Sequence, residues 1–347
     1  MILWINCAKF IAILGVMVNH TYGVLFTDER FMWGSCYCVS LFILISGMLS
    51  YRSNLRHHYS YSKTVIHSLK KIVVAYIFAT LIYDIFTYKI FDFTTFINNL
   101  ILFNASGPLY YVLLYINLML VSKILYNFVA FKTRIFVIKD ITIGYCVVAI
   151  AYITTNYSNV LNIFGGGGKL LGGTYLFLFY LGMIFEKYKI LNRVTVVRST
   201  ATMVIGGIAF LICWHFACQD RLNTDNSMHF GGFNPPGVTF MALALCMLLF
   251  CYGAFNLINQ VKLLAWINKF ISWLGSHTLY IFLFHRLWLD YLLRPYVTIS
   301  NPYIEYITYY GVMIAGSMLI EFIFTLAVRV YFYASESGNR KSLSRPA

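Results

Sequence analysis

Ten apolar stretches, at about 2–20, 33–51, 72–90, 108–129, 139–156, 171–186, 201–219, 237–257, 277–294 and 306–333, leave this chain few ways to fold. Each approaches the roughly 20 residues that a helix needs to cross the hydrocarbon core, the sixth being short and the tenth long. Residues are 60% hydrophobic and only 11% charged over 347 positions, with a mean hydropathy of +0.72, which excludes a soluble α/β enzyme. The expected fold is all-α: a polytopic integral membrane bundle of about ten transmembrane helices.

The basic residues orient that bundle. Seventeen of the 26 lysines and arginines fall in even-numbered loops and the tail, among them Arg52, Arg56, Lys70, Lys71, Lys132, Arg134, Lys187 and Lys189. Odd-numbered loops hold only Arg30, Lys89, Lys169, Arg221 and Arg294. Basic residues gather in cytoplasmic loops, so both termini are expected there. This asymmetry also accounts for the net charge of +14 and disposes of a nucleic-acid partner. What remains is a cytoplasmic surface suited to anionic lipid or a phosphorylated molecule.

The eight cysteines lie almost wholly within spans, without CxxC or Cys/His spacing, and read as small apolar side chains with no metal. Cys36 and Cys38 are too close in sequence to pair well with each other. No long linker or soluble domain interrupts the spans, so 1–335 is expected as one membrane domain and 336–347 as a basic cytoplasmic tail. The first span lacks a small-residue cleavage site and reads as a retained helix. Gly165–Gly168 reads as a flexible outer linker rather than a phosphate-binding turn.

Within the first span, Lys9 and His20 stand eleven residues apart. At 3.6 residues per turn that is almost three turns, so both project from one helix face, separated by roughly 16 Å. An ionisable group inside a span costs roughly 2.5–3.5 kcal/mol on insertion scales, so two on one stripe point to a polar interior pathway. A neutral imidazole can take a proton from a hydroxyl, and an ammonium can pair with phosphate or stabilise a developing oxyanion. The plainer alternative is an interfacial His20 and a Lys9 snorkelling to the inner surface.

Three further segments carry polar residues into the bundle. Ser46-Gly47 in the second span permits close helix approach, which packing alone would explain. Lys70-Lys71 before the third span suits anionic phosphate but also serves orientation. Ser276-His277-Thr278-Leu279-Tyr280, running on to His285, brings a deep histidine into the ninth span. Arg286 and Asp290, four apart, suit a structural ion pair.

Together these segments resemble the membrane-bound acyltransferase family 3. That family opens with a basic residue, ten intervening positions and a histidine, as Lys9 and His20 do. Its phenylalanine-rich helix ending in Ser-Gly matches Phe42 to Gly47. Its basic pair before the third helix matches Lys70-Lys71, and its late Ser-x-x-Leu-Tyr-x-x-x-x-His matches Ser276, Leu279, Tyr280 and His285. Gly107-Pro108-Leu109-Tyr110-Tyr111 looks like its Trp-Phe-Leu segment. The usual Trp-Ile-Asp is Trp4-Ile5-Asn6 here, which removes a carboxylate, and lysines replace arginines at 70 and 71, which gives up bidentate phosphate geometry.

The resemblance implies a multi-pass protein of the bacterial cytoplasmic membrane with no bound cofactor, using acetyl-CoA or another acyl-CoA as co-substrate. It implies a glycan acceptor outside the cytoplasm or linked to lipid. His20 is then the general base and Lys9 the group that positions the donor or stabilises charge. Lys70, Lys71, Arg52 and Arg56 are candidates for donor phosphates, and Asp84, Tyr110, Tyr111 and His285 for the substrate pathway. A polytopic glycan or small-molecule transporter is the alternative, weakened by the lack of an internal repeat.

Overall fold

The computed structural model describes residues 3–57, 60–157, 170–192, 194–223 and 235–343; Gly165–Gly168 lies outside them. Every regular element among these residues is helical, and a lone β-bridge joins Tyr22 and Phe26. Lipid offers the backbone no hydrogen-bond partner, so a helix, which satisfies its own amides, is the stable state for such apolar runs.

The first unit, Met1–Thr278, contains α1 Leu3–Thr21, α2 Glu29–Ser35, α3 Tyr37–His57, α4 Tyr61–Tyr88, α5 Phe93–Leu102 and α6 Tyr110–Ala130. It continues with α7 Phe136–Tyr157, α8 Tyr175–Lys187, α9 Val196–Asn223, α10 Val238–Gln260 and α11 Ala265–Ser276. The second unit begins at Leu279, one residue into α12 Thr278–Trp288. A π-helical segment Leu289–Leu293, the short α13 Arg294–Tyr296 and the long α14 Pro302–Leu343 follow.

Eight of the described helices are long and apolar enough to cross a bilayer, against the ten spans expected. The difference lies in the sixth and ninth. Helix α8 has 13 residues, entered through a 3-10 turn at Leu170–Gly172, where Gly172 takes a φ of +85°. Helix α12 has 11 residues before the π segment. Pro295, just beyond, has no N–H to donate and its ring crowds the preceding turn, which is where a helix widens or kinks.

Other boundaries also differ. The apolar run places the start of the third span at 72, but α4 starts at Tyr61, so Lys70 and Lys71 lie within the helix rather than ahead of it. Helix α14 runs to Leu343, so the segment 336–347 read as a tail begins inside a helix. Two short helices, α2 and α5, join the spans. Each starts on an aspartate N-cap: Asp28 accepts from the Arg30 amide at 2.9 Å, and Asp92 from Thr95 at 2.8 Å. The Arg30 guanidinium also grips Asp28 at 2.6 Å and holds its carboxyl below the usual carboxylate range. A depressed carboxyl favours the fold above its unfolded pKa, and the advantage fades only as acid drives the pH through the lowered value.

Helix α3 is the keel of the first unit, and it packs along α8, α1, α10 and α6. Water cannot drive helices together inside lipid, so association rests on van der Waals contact, and small residues let backbones meet. Gly47 of α3 and Gly182 of α8 make such a contact. A Cβ on Gly182 would lie 3.1 Å from the Gly47 Cα and overlap the Leu44 carbonyl, and one on Gly47 would overlap that of Phe179. Leu41, Ile43, Leu44 and Ile45 of α3 and Leu178 and Phe179 of α8 have no solvent exposure.

Because the obstacle is backbone, Gly182→Ala should destabilise the protein by about 3 kcal/mol, the upper part of the range for overpacking. At Gly311 in α14 an added methyl would meet nothing within 4 Å, so Gly311→Ala should be neutral or stabilising by up to about 1 kcal/mol. Thermal unfolding of both variants in detergent measures the contrast; equal melting temperatures would contradict the packing described.

Candidate functional site

Helix α1 is unbroken from Leu3 to Thr21, so Lys9 and His20 do share a face. Between them on that face stand Ile13 and Val16, which are 0% and 2% exposed. The stripe therefore faces protein rather than lipid, while Lys9 and His20 themselves are half-buried. Both ends of α1 are held by polar contacts. Near Lys9, Asn6 donates to Ser272 Oγ at 3.4 Å, Cys7 reaches the Asn268 carbonyl at 3.5 Å, and a Cβ on Gly275 would overlap the Asn6 carbonyl. The position where the family often has aspartate is thus an amide seated against α11.

Lys71 is the charged neighbour whose field reaches Lys9. Two ammonium groups within mutual range repel, and more strongly where the dielectric is low. Lys70 and Lys71 are both exposed on α4. About two and a half turns of amphiphilic helix precede them, which explains why the hydrophobic run alone places the start of α4 too late.

At the other end, Thr21 Oγ1 turns back to the Met17 carbonyl at 3.0 Å and closes α1 immediately after His20. Asn19 Nδ2 reaches Ser35 Oγ at 3.5 Å and Cys36 Sγ at 3.7 Å. Gly23, at a φ of +76°, and its amide bond to Phe26 at 2.8 Å turn the chain toward α2. Trp214 of α9 donates to the Arg30 carbonyl at 2.7 Å and fixes that cap over the bundle.

Tyr110 and Tyr111 open α6 behind the turn Gly107–Leu109. Cys36 and Cys38 are electrostatic neighbours of Tyr110, which shares a hydrogen bond with Tyr175 of α8. Tyr111 packs its ring 6.1 Å from Phe42, with its hydroxyl engaged by Ser46. Asn19 and Cys36 thus meet at the His20 end of α1, and Tyr110 meets Tyr175 between α6 and α8. Sequence reasoning does not single out Asn19 or Tyr175 as site residues; an asparagine beside His20 within a span is the available signal.

Arg52 forms a fork to Glu186 of α8, at 2.9 and 2.6 Å, with the two side chains 15% and 10% exposed. Its donors are taken up by a structural pair, whereas Arg56, in the last turn of α3, is exposed. Asp84, 3% exposed, accepts from Asn99 of α5 at 2.7 Å. Tyr76 ties the same helices by donating to the Leu100 carbonyl at 2.9 Å. His285 belongs to the second unit, fully buried, with Nδ1 against the Phe282 carbonyl at 2.8 Å. Arg286 and Asp290 form the expected pair at 2.8 Å. Among the described residues, no three His, Cys, Asp or Glu side chains converge as metal ligands.

Removing one member of a largely buried ion pair leaves the other uncompensated, a loss of about 3 kcal/mol. Arg52→Ala and Glu186→Ala should each approach that loss, and the double variant should cost far less than the sum. A thermodynamic cycle from melting curves measures the coupling. Additive losses would return Arg52 to the groups available to a ligand.

Comparison with known proteins adds a direct assignment. No curated protein and no solved structure matches the chain. The acyltransferase domain family matches residues 2–326, nearly its whole length and all the positions just described. With its helical bundle of membrane-crossing segments, the chain belongs to this acyltransferase family and is a multi-pass membrane acyltransferase.

Proposed function

We propose that this protein transfers an acetyl group from cytoplasmic acetyl-CoA to a hydroxyl of an extracytoplasmic or lipid-linked glycan, in the cytoplasmic membrane of a bacterium. The observation that carries this reading is the interior stripe of α1, with a cation at one end, a histidine at the other and buried side chains between. The charge distribution of the loops supports Lys9 as the cytoplasmic end and His20 as the outer end.

On this reading Lys9 and Lys71 attract the anionic donor, with Lys70 and Arg56 adding charge at the surface. His20 accepts the proton of the acceptor hydroxyl as that oxygen attacks the thioester carbonyl. The C–S bond breaks as the new C–O bond forms, and coenzyme A leaves as a thiolate. Lys9 stabilises negative charge on the donor side. Tyr110, Tyr111 and Asp84 line the acceptor's approach. Arg52 acts indirectly here, by holding α3 to α8.

General-base catalysis contributes typically 10²–10⁴-fold, so His20→Ala should lower transfer of labelled acetyl from acetyl-CoA to glycan by at least about 100-fold. The melting temperature should stay near that of the wild type. Undiminished transfer by His20→Ala would sink the mechanism. Glycan movement across vesicles without consumption of acetyl-CoA would identify a transporter instead. The mass of surface glycan from cells with and without the protein, read for one added acetyl unit, tests donor and acceptor class together.

A further inference from the structure

Helices α7 and α8 leave an open groove of about 480 Å³ between them. Val137, Ile141 and Val148 form one wall on α7; Phe177, Leu181 and Ile184 form the other on α8. Gly144 makes its floor, because a Cβ there would already meet the Tyr180 ring at 3.3 Å. The α7 wall is apolar yet uncovered by protein: Val137, Ile141 and Val148 are 50%, 54% and 43% exposed.

From Val137 to Val148 a helix rises about 16 Å, close to the ~15 Å depth of one leaflet's hydrocarbon. Only one end of the groove is charged. There Asp140, 5% exposed, pairs with Lys187 and accepts from the Tyr188 hydroxyl at 2.7 Å. Lys139 lies 3.3 Å from the same carboxylate and caps the end of α6, reaching the Phe131 carbonyl at 2.6 Å. Two lysines thus outweigh the one carboxylate. Lys132, Arg134 and Lys189 stand exposed in the adjoining loops, and neither 131–139 nor 188–192 contains an acid. An apolar channel one leaflet deep, headed by cations in excess, matches an amphiphile with a single-chain-wide tail and a negative head.

We propose that this groove binds one acyl chain of an anionic glycerophospholipid from the cytoplasmic leaflet, with its phosphate at the Lys132, Arg134 and Lys189 end. The site stands apart from α1 and does not depend on the acceptor or donor assigned above.

The full-length protein in detergent is titrated with dioleoyl phosphatidylglycerol and, separately, with dioleoyl phosphatidylcholine, and bound lipid is counted by native mass spectrometry. The wild type should retain one phosphatidylglycerol with roughly tenfold preference over the neutral lipid. Lys132→Ala with Arg134→Ala should erase the preference while keeping binding. Leu181→Trp, or Gly144→Phe, should lose both lipids by filling the groove. Equal binding of the two lipids by the wild type overturns the proposal, as does undiminished binding in a filled variant that melts normally. Independently of any variant, a phosphatidylglycerol bearing a photoreactive group in its chain should label peptides from α7 and α8; labelling confined to other helices also overturns it.

Discussion

A bilayer gives the peptide group nothing to bond to, and this single deprivation governs the molecule. It makes every described regular element a helix, and it turns each polar side chain within a span into something that needs a physical reason. Some reasons are local. Thr21, Ser122, Thr154 and Ser317 return their hydroxyls to carbonyls one turn back, at 2.6–3.0 Å. Others join helices: Asn6 to α11, Arg52 to α8, Asp84 to α5. What stays conspicuous after these assignments is the α1 stripe from Lys9 to His20, with buried side chains between them.

That contrast separates charges that build the protein from charges that await something. Arg52 with Glu186, and Asp140 with its lysines, are attractions already satisfied within the fold. Lys9 and Lys71, both cations, repel each other. The proposed acyl transfer from a polyanionic donor suits a stripe with a cation at one end and an imidazole at the other.

Much of this is legible in the sequence, for identifiable reasons. Spans follow from long apolar runs, and the eleven-residue interval between Lys9 and His20 converts directly to one helix face, because α1 has no break. Ser46-Gly47 announces a close crossing that α3 and α8 then make. What stays hidden depends on long-range partners or on weak patterning. Nothing near Arg52 in sequence points to Glu186, 134 positions later. Helices α2 and α5 are too short to register as spans, and the polar first turns of α4 do not read as membrane. The widened turn in the ninth span comes from backbone accommodation, which periodicity does not record.

The Gly47–Gly182 crossing carries one more implication, for how this lineage can vary. At most packed contacts a larger residue on one helix can be offset by a smaller one on its partner, and the two positions drift as a pair. Here each methyl would strike a carbonyl that every amino acid possesses, so no replacement at one position makes room for change at the other. Both should remain fixed singly, leaving no correlated substitutions, and a method that infers contacts from covariation will be blind to the closest approach between α3 and α8.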